Sequence, residues 1–268
     1  MDINYELYKV FYHVASSLSF SEASKQLFIS QSAVSQSIKT LEKKIGQPLF
    51  IRSTKKVQLT PAGELLLQHI EPAMNLIKRG ENQLLEAHTL NGGQLRIGAS
   101  DTICRYYLIP YLNRFHKAYP NVHIKVTNQT SIECAHLLEN GQVDFIITNY
   151  PNSGLSNSQN VRVINEFHDV FVANQEYFPL KGETVSLQKL QTYPILMLDR
   201  KSTTSEFLHH MFQREQLDLV PEIELSSNDL LIDLARIGLG IAFVPDFCIP
   251  ENDKDLFIVK LTEKMPAR

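Results

Sequence analysis

The hydrophobic period of this chain changes at Gln94, and the change limits what each part can become. Before it, apolar residues recur at helical spacing. Leu7, Val10, Phe11, Val14 and Leu18 make one stripe, and Val34, Ile38, Leu41 and Ile45 make another. After it, QLRIGAS, VHIKVTNQ and VDFIITN read as strands, separated by helical stretches from Ile103 to Tyr119 and from Ile132 to Asn140. That βαβαβ order requires a parallel sheet. Beyond the polar connector PNSGLSNSQN comes a second set: strands VFVAN, PILML, EIEL and GIAFV, with helices from Thr203 to about Gln216 and from Asn228 to Ile237. At 268 residues the chain is long enough for two or three domains.

Charge follows the same division. Up to Thr60, seven Lys and one Arg stand against four carboxylates, a net +4, which leaves −7 on the rest of a chain of net charge −3. A basic head on an acidic body points to a polyanionic partner for the head alone. Within the head, Ser21 is placed to cap a short helix that buries Ala23 and Leu27. After the turn FIS, Ser30 is placed to cap a third helix, with Ile29 and Val34 spaced as a hydrophobic staple. On that helix Gln31, Ser32, Ser35, Gln36 and Lys39 fall within an arc of roughly 140°, at about 100° per residue. Two helices, a tight turn and a third helix with a free polar face make a helix-turn-helix. A serine-rich solvated surface would look similar. Gly46 as a helix end, and QPLFIRSTKKVQLT as two short strands with Arg52, Ser53, Lys55 and Lys56 near their connection, add a basic wing and favour nucleic acid. Gln reaches two edges of adenine and Ser either type of partner, whereas Arg52, Lys55 and Lys56 suit phosphates.

The segment SFSEASKQLFISQSAVSQSIKTLEKKIGQPLFIRSTKKVQLTPAGE resembles the DNA-binding part of LysR-type transcriptional regulators. The alanine-containing second helix, S-Q-S-A-V-S-Q-S-I, L-E-x-x-x-G, P-L-F-x-R and L-T-x-A-G occur in order. The resemblance implies that Gln31, Ser32, Ser35 and Gln36 lie at the groove, Lys39 beside it, and Arg52 and Ser53 on the wing. Next, Thr60 can cap and Pro61 can open a long helix that stops before Gly92-Gly93, with Pro72 expected to kink it. Leu66, Ile70, Ala73, Ile77, Gly80, Leu84 and Ala87 alternate spacings of four and three, a coiled-coil seam. The seam either packs on the chain's own body or pairs two subunits, and the resemblance implies the second.

The expected fold is thus an N-terminal all-α-type winged helix-turn-helix over residues 1–59 and a linker helix over 60–91. An α/β effector domain over 92–268 follows, built from two subdomains and resembling type 2 periplasmic (solute) binding proteins. Its first subdomain is expected at 92–150 and 245–268 and its second at 161–244. In such sheets ligands sit at the carboxyl ends of strands, where helix N-termini point. Ser100, Asp101 and Thr102 follow the first strand, Thr130 and Ser131 the second, and Thr148 the third. Arg200, Ser202 and Thr203 precede one later helix, and Ser226 and Ser227 another. Hydroxyls and free N–H groups with Arg200 opposite would suit a small anion such as a carboxylate. Capping alone explains any single one of them, and their convergence on one cleft comes from the resemblance. Asp101 would repel an anion unless paired or turned away.

The partners expected are therefore a double-stranded, imperfectly palindromic operator, a small-molecule effector, and further copies of the chain, as a dimer through the linker helix and a homotetramer. RNA polymerase is a possible further partner. A head that contacts a protein instead is the competing reading. No catalytic or metal-ligating set, cofactor motif or enzyme signature is found: His209 and His210 face different ways on a helix, and no nucleophile elbow, P-loop or dinucleotide fingerprint occurs. The N-terminus lacks a signal-peptide pattern and no apolar run is long enough to span a membrane, so a cytoplasmic protein is expected. Cys104, Cys134 and Cys248 are too scattered for a disulfide framework. Cys104 and Cys134 sit near helix starts, where a thiol pKa can fall. LFIVKLTEKMPAR ends where LysR-type regulators continue with another strand and a closing helix, so the first subdomain is expected to lack part of its cover.

Overall fold

The computed structural model describes residues 3–52, 56–89, 93–155, 160–250 and 253–268. It divides into two units: residues 1–93 with 139–142, and residues 94–138 with 143–268.

The first unit begins with α1 (Tyr5–Ser17), α2 (Phe20–Leu27) and α3 (Gln31–Ile45). Their apolar stripes meet in one core of Val10, Phe11, Val14, Ala23, Val34, Ile38 and Leu41. The cap of α2 is Ser19, whose hydroxyl accepts from Glu22 N–H at 3.2 Å; Ser21, the residue expected to cap it, lies inside the first turn. The reason is local: Phe20 joins the core and so belongs to the helix. Ser30 caps α3, accepting from Ala33 N–H at 3.2 Å, and Gly46 closes the helix at φ 83° with its N–H on the Glu42 carbonyl. Strands β1 (Phe50–Arg52) and β2 (Val57–Leu59) pair antiparallel as a wing. Glu42 anchors the wing to α3, its carboxylate accepting from Leu49 N–H at 2.8 Å and Phe50 N–H at 3.2 Å.

Helix α4 (Pro61–Thr89) starts where expected, with Thr60 Oγ1 accepting from Gly63 N–H at 3.0 Å. A Cβ at Gly63 would overlap the Leu49 carbonyl oxygen, so this glycine lets the helix leave directly from the wing. The seam divides. Leu66 and Ile70 pack on the head core, whereas Ile77 and Leu84 remain 57% and 68% exposed. The side chain of Ala87 lies outside the described residues.

In the second unit, β3 (Gln94–Ala99), β4 (His123–Asn128) and β5 (Phe145–Ile147) form a parallel sheet ordered β4-β3-β5. A helix starts at Asp101, two residues before the expected Ile103. It consists of α5 (Asp101–Ile103), a π-helical turn at Cys104–Leu108, and α6 (Ile109–Ala118). Helix α7 (Ser131–Glu139) crosses between β4 and β5.

The larger sheet is ordered β11-β6-β10-β8-β9, from β6 (Asp169–Asn174), β8 (Ile195–Leu198), β9 (Ile223–Leu225), β10 (Ile241–Pro245) and β11 (Leu256–Ile258). Between these lie β7 (Thr184–Val185) with α8 (Leu187–Leu190), and helices α9 (Thr203–Arg214) and α10 (Asn228–Arg236). Its strands are apolar on both sides, with period two. Phe171, Met197 and Phe243 face Leu208 and Phe212 of α9, while Val172, Leu196, Ala242 and Val244 face Leu231 and Ala235 of α10. The expectation that 245–268 rejoins the first subdomain is corrected here. β11 pairs antiparallel with β6, and β12 (Lys260–Leu261) pairs parallel with β7. Completing those backbone bonds keeps the segment on the second sheet, where Arg268 is buried against Asp169 of β6.

Candidate DNA-binding face and effector cleft

On α3 the stripe Val34, Ile38 and Leu41 is fully buried, which turns Gln31, Ser32, Gln36 and Lys39 outward to exposed positions, with Ser35 half-buried beside them. Ser32 Oγ lies 2.8 Å from Ser30 Oγ, and Thr40 donates to the Gln36 carbonyl, so the polar face is held on a rigid helix. Arg52 is on β1, its backbone paired with Val57, while Ser53 and Lys55 fall outside the described residues. Ile51 and Phe28, 52% and 94% exposed, are apolar groups that the sequence reading did not single out.

In the second unit the expected cleft residues fall into three groups. The first joins the subdomains. Ser100 caps α5, accepting from Ile103 N–H at 3.4 Å, and Ser227 caps α10, accepting from Leu230 N–H at 3.4 Å. Asn228 Nδ2 donates to Thr102 Oγ1 at 2.9 Å, so the first turns of α5 and α10 meet. Beside this contact, Asp229 accepts from Tyr106 Oη at 2.6 Å and from Arg105 at 3.1 Å. Burial, then the Asp229 hydrogen bond, push the Tyr106 hydroxyl pKa up. The π-helical turn carries both Arg105 and Tyr106, a usual place for such a turn to be put to use. Asp101 is exposed and accepts from Asn128 Nδ2 at 3.1 Å, which holds part of its carboxylate on the first subdomain.

The second group is bonded within the first subdomain. Thr130 caps α7 through Glu133 N–H, and Asn152 Nδ2 donates to Thr148 Oγ1 at 2.7 Å and to the Ser131 carbonyl at 2.8 Å. The third is at α9. Ser202 caps it, accepting from Ser205 N–H at 3.1 Å, and Thr203, Thr204 and Ser205 are buried. Arg200 is exposed on the preceding turn, and no contact among the described residues joins it to the other cleft groups. Sequence reasoning missed Asn228, Asp229, Tyr106 and Arg268. Arg268 donates to Asp169, to Thr204 Oγ1 at 3.2 Å and to the Tyr150 carbonyl at 3.4 Å, with its guanidinium 4.9 Å from the Phe207 ring.

These two sites can be set beside known proteins. The family profile described as Bacterial regulatory helix-turn-helix protein, lysR family, matches residues 5–64, and the LysR substrate binding domain matches residues 88–268. The chain belongs to the LysR family. A Probable RuBisCO transcriptional regulator of Trichormus variabilis is 30% identical over 239 residues, 87% of this chain and 71% of the relative. Full-length CbnR, solved with its target DNA, superposes with a TM-score of 0.61 at 18% identity, covering 99% of this chain and 92% of CbnR. The regulatory domain of Synechocystis CcmR, solved with 2-PG, matches at TM-score 0.57 and 21% identity over 63% of this chain and 81% of that one. This LysR protein is therefore a transcriptional regulator with a helix-turn-helix and a two-subdomain effector-binding region. Among the described residues no helix is long and apolar enough to cross a membrane, and no group of three His, Cys, Asp or Glu is placed to hold a metal.

The thiols of the LysR chain behave opposite to the helix-start expectation. Burial pushes Cys134 up to about 11, and burial followed by the Asp101 charge raises Cys104; Cys248 is raised as well, by burial first. Apolar surroundings outweigh the helix ends. At pH 8 only about one Cys134 in a thousand is thiolate, from the standard titration relation. Iodoacetamide labelling followed by mass spectrometry is expected to be far slower in the native protein than after denaturation. Native labelling of Cys134 at the denatured rate would contradict this account.

Proposed function

We propose that α3 enters the major groove of double-stranded DNA with Gln31, Ser32, Ser35 and Gln36, while Lys39 beside the groove and Arg52, Ser53 and Lys55 on the wing hold phosphates. The exposed Ile77 and Leu84 on α4 support pairing of two copies over an imperfect palindrome, and two such pairs make a tetramer. RNA polymerase is a further contact in this reading. The effector is a small anion, a carboxylate first, held between the subdomains by Ser100, Thr102, Thr130, Arg200, Ser202, Thr203 and Ser227, with Asn228 added to the sequence-derived set. Ser131 and Thr148 then position the loop after β5, and Asp101 excludes a second negative charge.

The observation that carries the reading is the 2.9 Å bond between Asn228 and Thr102. It sets the positive ends of two helices against each other, and facing positive ends favour negative charge between them. The effector regulates only by binding two arrangements of the protein unequally.

A thermal-shift screen of small carboxylates, amino acids and inorganic anions tests the reading, because a ligand at about a hundred times its Kd adds about 2.7 kcal/mol to the folded state. At least one anion is expected to raise the Tm, and less so in Ser227→Ala. A response to neutral sugars with none to any anion would reject the anionic assignment.

A further inference from the structure

A groove of about 920 Å³ runs along one side of α9, from Thr203 beside the Ser202 cap to Arg214 near the other end of the helix. One wall is a single helical face, Glu206, Phe207, His210, Met211 and Arg214, at spacings of one, three and four. The other wall is mostly apolar: Pro151, Leu155, Val161, Val163 and Pro266. Val161 and Val163 are 58% and 71% exposed, an apolar surface that faces a helix without being covered by it.

The charges along the groove are unequal. Glu206 accepts from Ser153 Oγ at 2.9 Å and is thereby tied to the facing wall. Near the start of α9, Arg268 packs on Phe207, but its charge is matched by Asp169. At the other end, Arg214 is exposed, has no ion pair among the described residues, and lies one turn beyond exposed His210. From Phe207 to Arg214 is about 10 Å along the axis, at 1.5 Å per residue. That is the length of a two-ring aromatic or a medium-length alkyl group.

We propose that this groove is a second small-molecule site, which takes an amphipathic organic anion. Its apolar body lies on Phe207 and Met211 opposite Val161 and Val163, and its carboxylate or sulfonate meets Arg214 and His210. An apolar body with one anchored charge is the usual pattern of such sites. The groove adjoins the cleft at Thr203 and differs from it in chemistry, since the cleft offers helix ends and hydroxyls rather than apolar walls.

The test is isothermal titration of the full chain with 2-naphthoate, and with naphthalene-2-methanol as its uncharged counterpart. The groove substitutions are placed at exposed positions, Val163 and Arg214, so that folding is not at issue there. Saturable binding of one naphthoate per chain is expected, with the alcohol binding about three- to fivefold more weakly, the size of an exposed ion pair. Arg214→Gln should weaken naphthoate by about the same factor and leave the alcohol unchanged. Val163→Glu should weaken both, by about tenfold for naphthoate, while Ser227→Ala in the cleft should alter neither. Absence of saturable binding overturns the proposal, as does binding that ignores Arg214→Gln and Val163→Glu or that is lost in Ser227→Ala.

Discussion

Replacing Arg268 by alanine is expected to destabilise the effector-binding unit by about 3–5 kcal/mol, the usual cost of leaving one member of a buried ion pair behind. The Arg268 side chain is 1% exposed and its partner Asp169 is fully buried. Asp169 opens β6, an inner strand of the larger sheet, and is fully buried there, so water cannot replace the guanidinium. Burial pushes the Asp169 carboxyl up, and Arg268 opposes that shift without cancelling it. The sign of the pH dependence follows. A carboxyl raised on folding binds more protons in the folded state than in the unfolded one, so stability falls as pH rises through that window. Removing Arg268 widens the window, so the defect should shrink toward acid pH, where Asp169 is protonated. The double variant Asp169→Asn with Arg268→Met should recover most of the loss, because no charge is left to bury. Urea unfolding at pH 5 and pH 8 reads all three effects. A single variant as stable as the parent at pH 8 would mean that the pair is not buried as described.

Arg268 also shows where the sequence ceased to be readable. Nothing in MPAR singles it out, and only the return of β11 and β12 to the larger sheet brings it to Asp169, 99 residues away. A three-residue strand carries too little pattern to name its neighbour, so residues 245–268 read as part of the wrong subdomain. The head was more legible, because its stripes Val10, Phe11, Val14 and Val34, Ile38, Leu41 have no other way to be buried. Its one local error, Ser21 for Ser19, is a choice between two serines decided by the packing of Phe20. The cleft lay between these cases. Ser100, Thr130, Ser202 and Ser227 are legible as caps and are caps in the structure. Asn228 and Asp229 were invisible as contacts between the subdomains, since their partners Thr102 and Tyr106 lie 126 and 123 positions away. The α4 seam shows a related limit: heptad spacing alone does not separate residues that pack within the chain, as Leu66 and Ile70 do, from those that stay exposed on it, as Ile77 and Leu84 do.

Gln31→Ala and Gln36→Ala are each expected to cost about 1–3 kcal/mol in affinity for the operator and to relax selectivity at one base position. Neither should change stability, because both side chains are exposed and the buried side of α3 is untouched. Lys39→Ala should act differently. It should weaken operator and unrelated DNA alike, and flatten the dependence of log affinity on log salt by about one unit, since a phosphate contact releases a counterion whatever the sequence. Arg52→Ala is expected to behave as Lys39→Ala does, only more strongly, because its strand is anchored to α3 through Glu42 and a guanidinium holds a phosphate with two bonds. Fluorescence anisotropy with operator and scrambled duplexes at 50 and 200 mM salt, about the range in which such contacts lose most affinity, separates the two classes. A head that bound a protein would show weak salt dependence and no distinction between duplexes. If the glutamine variants retained full selectivity while Lys39→Ala lost it, the division on this helix would be reversed: base reading would fall to the charged residue, and the uncharged face would serve only to bring the helix close.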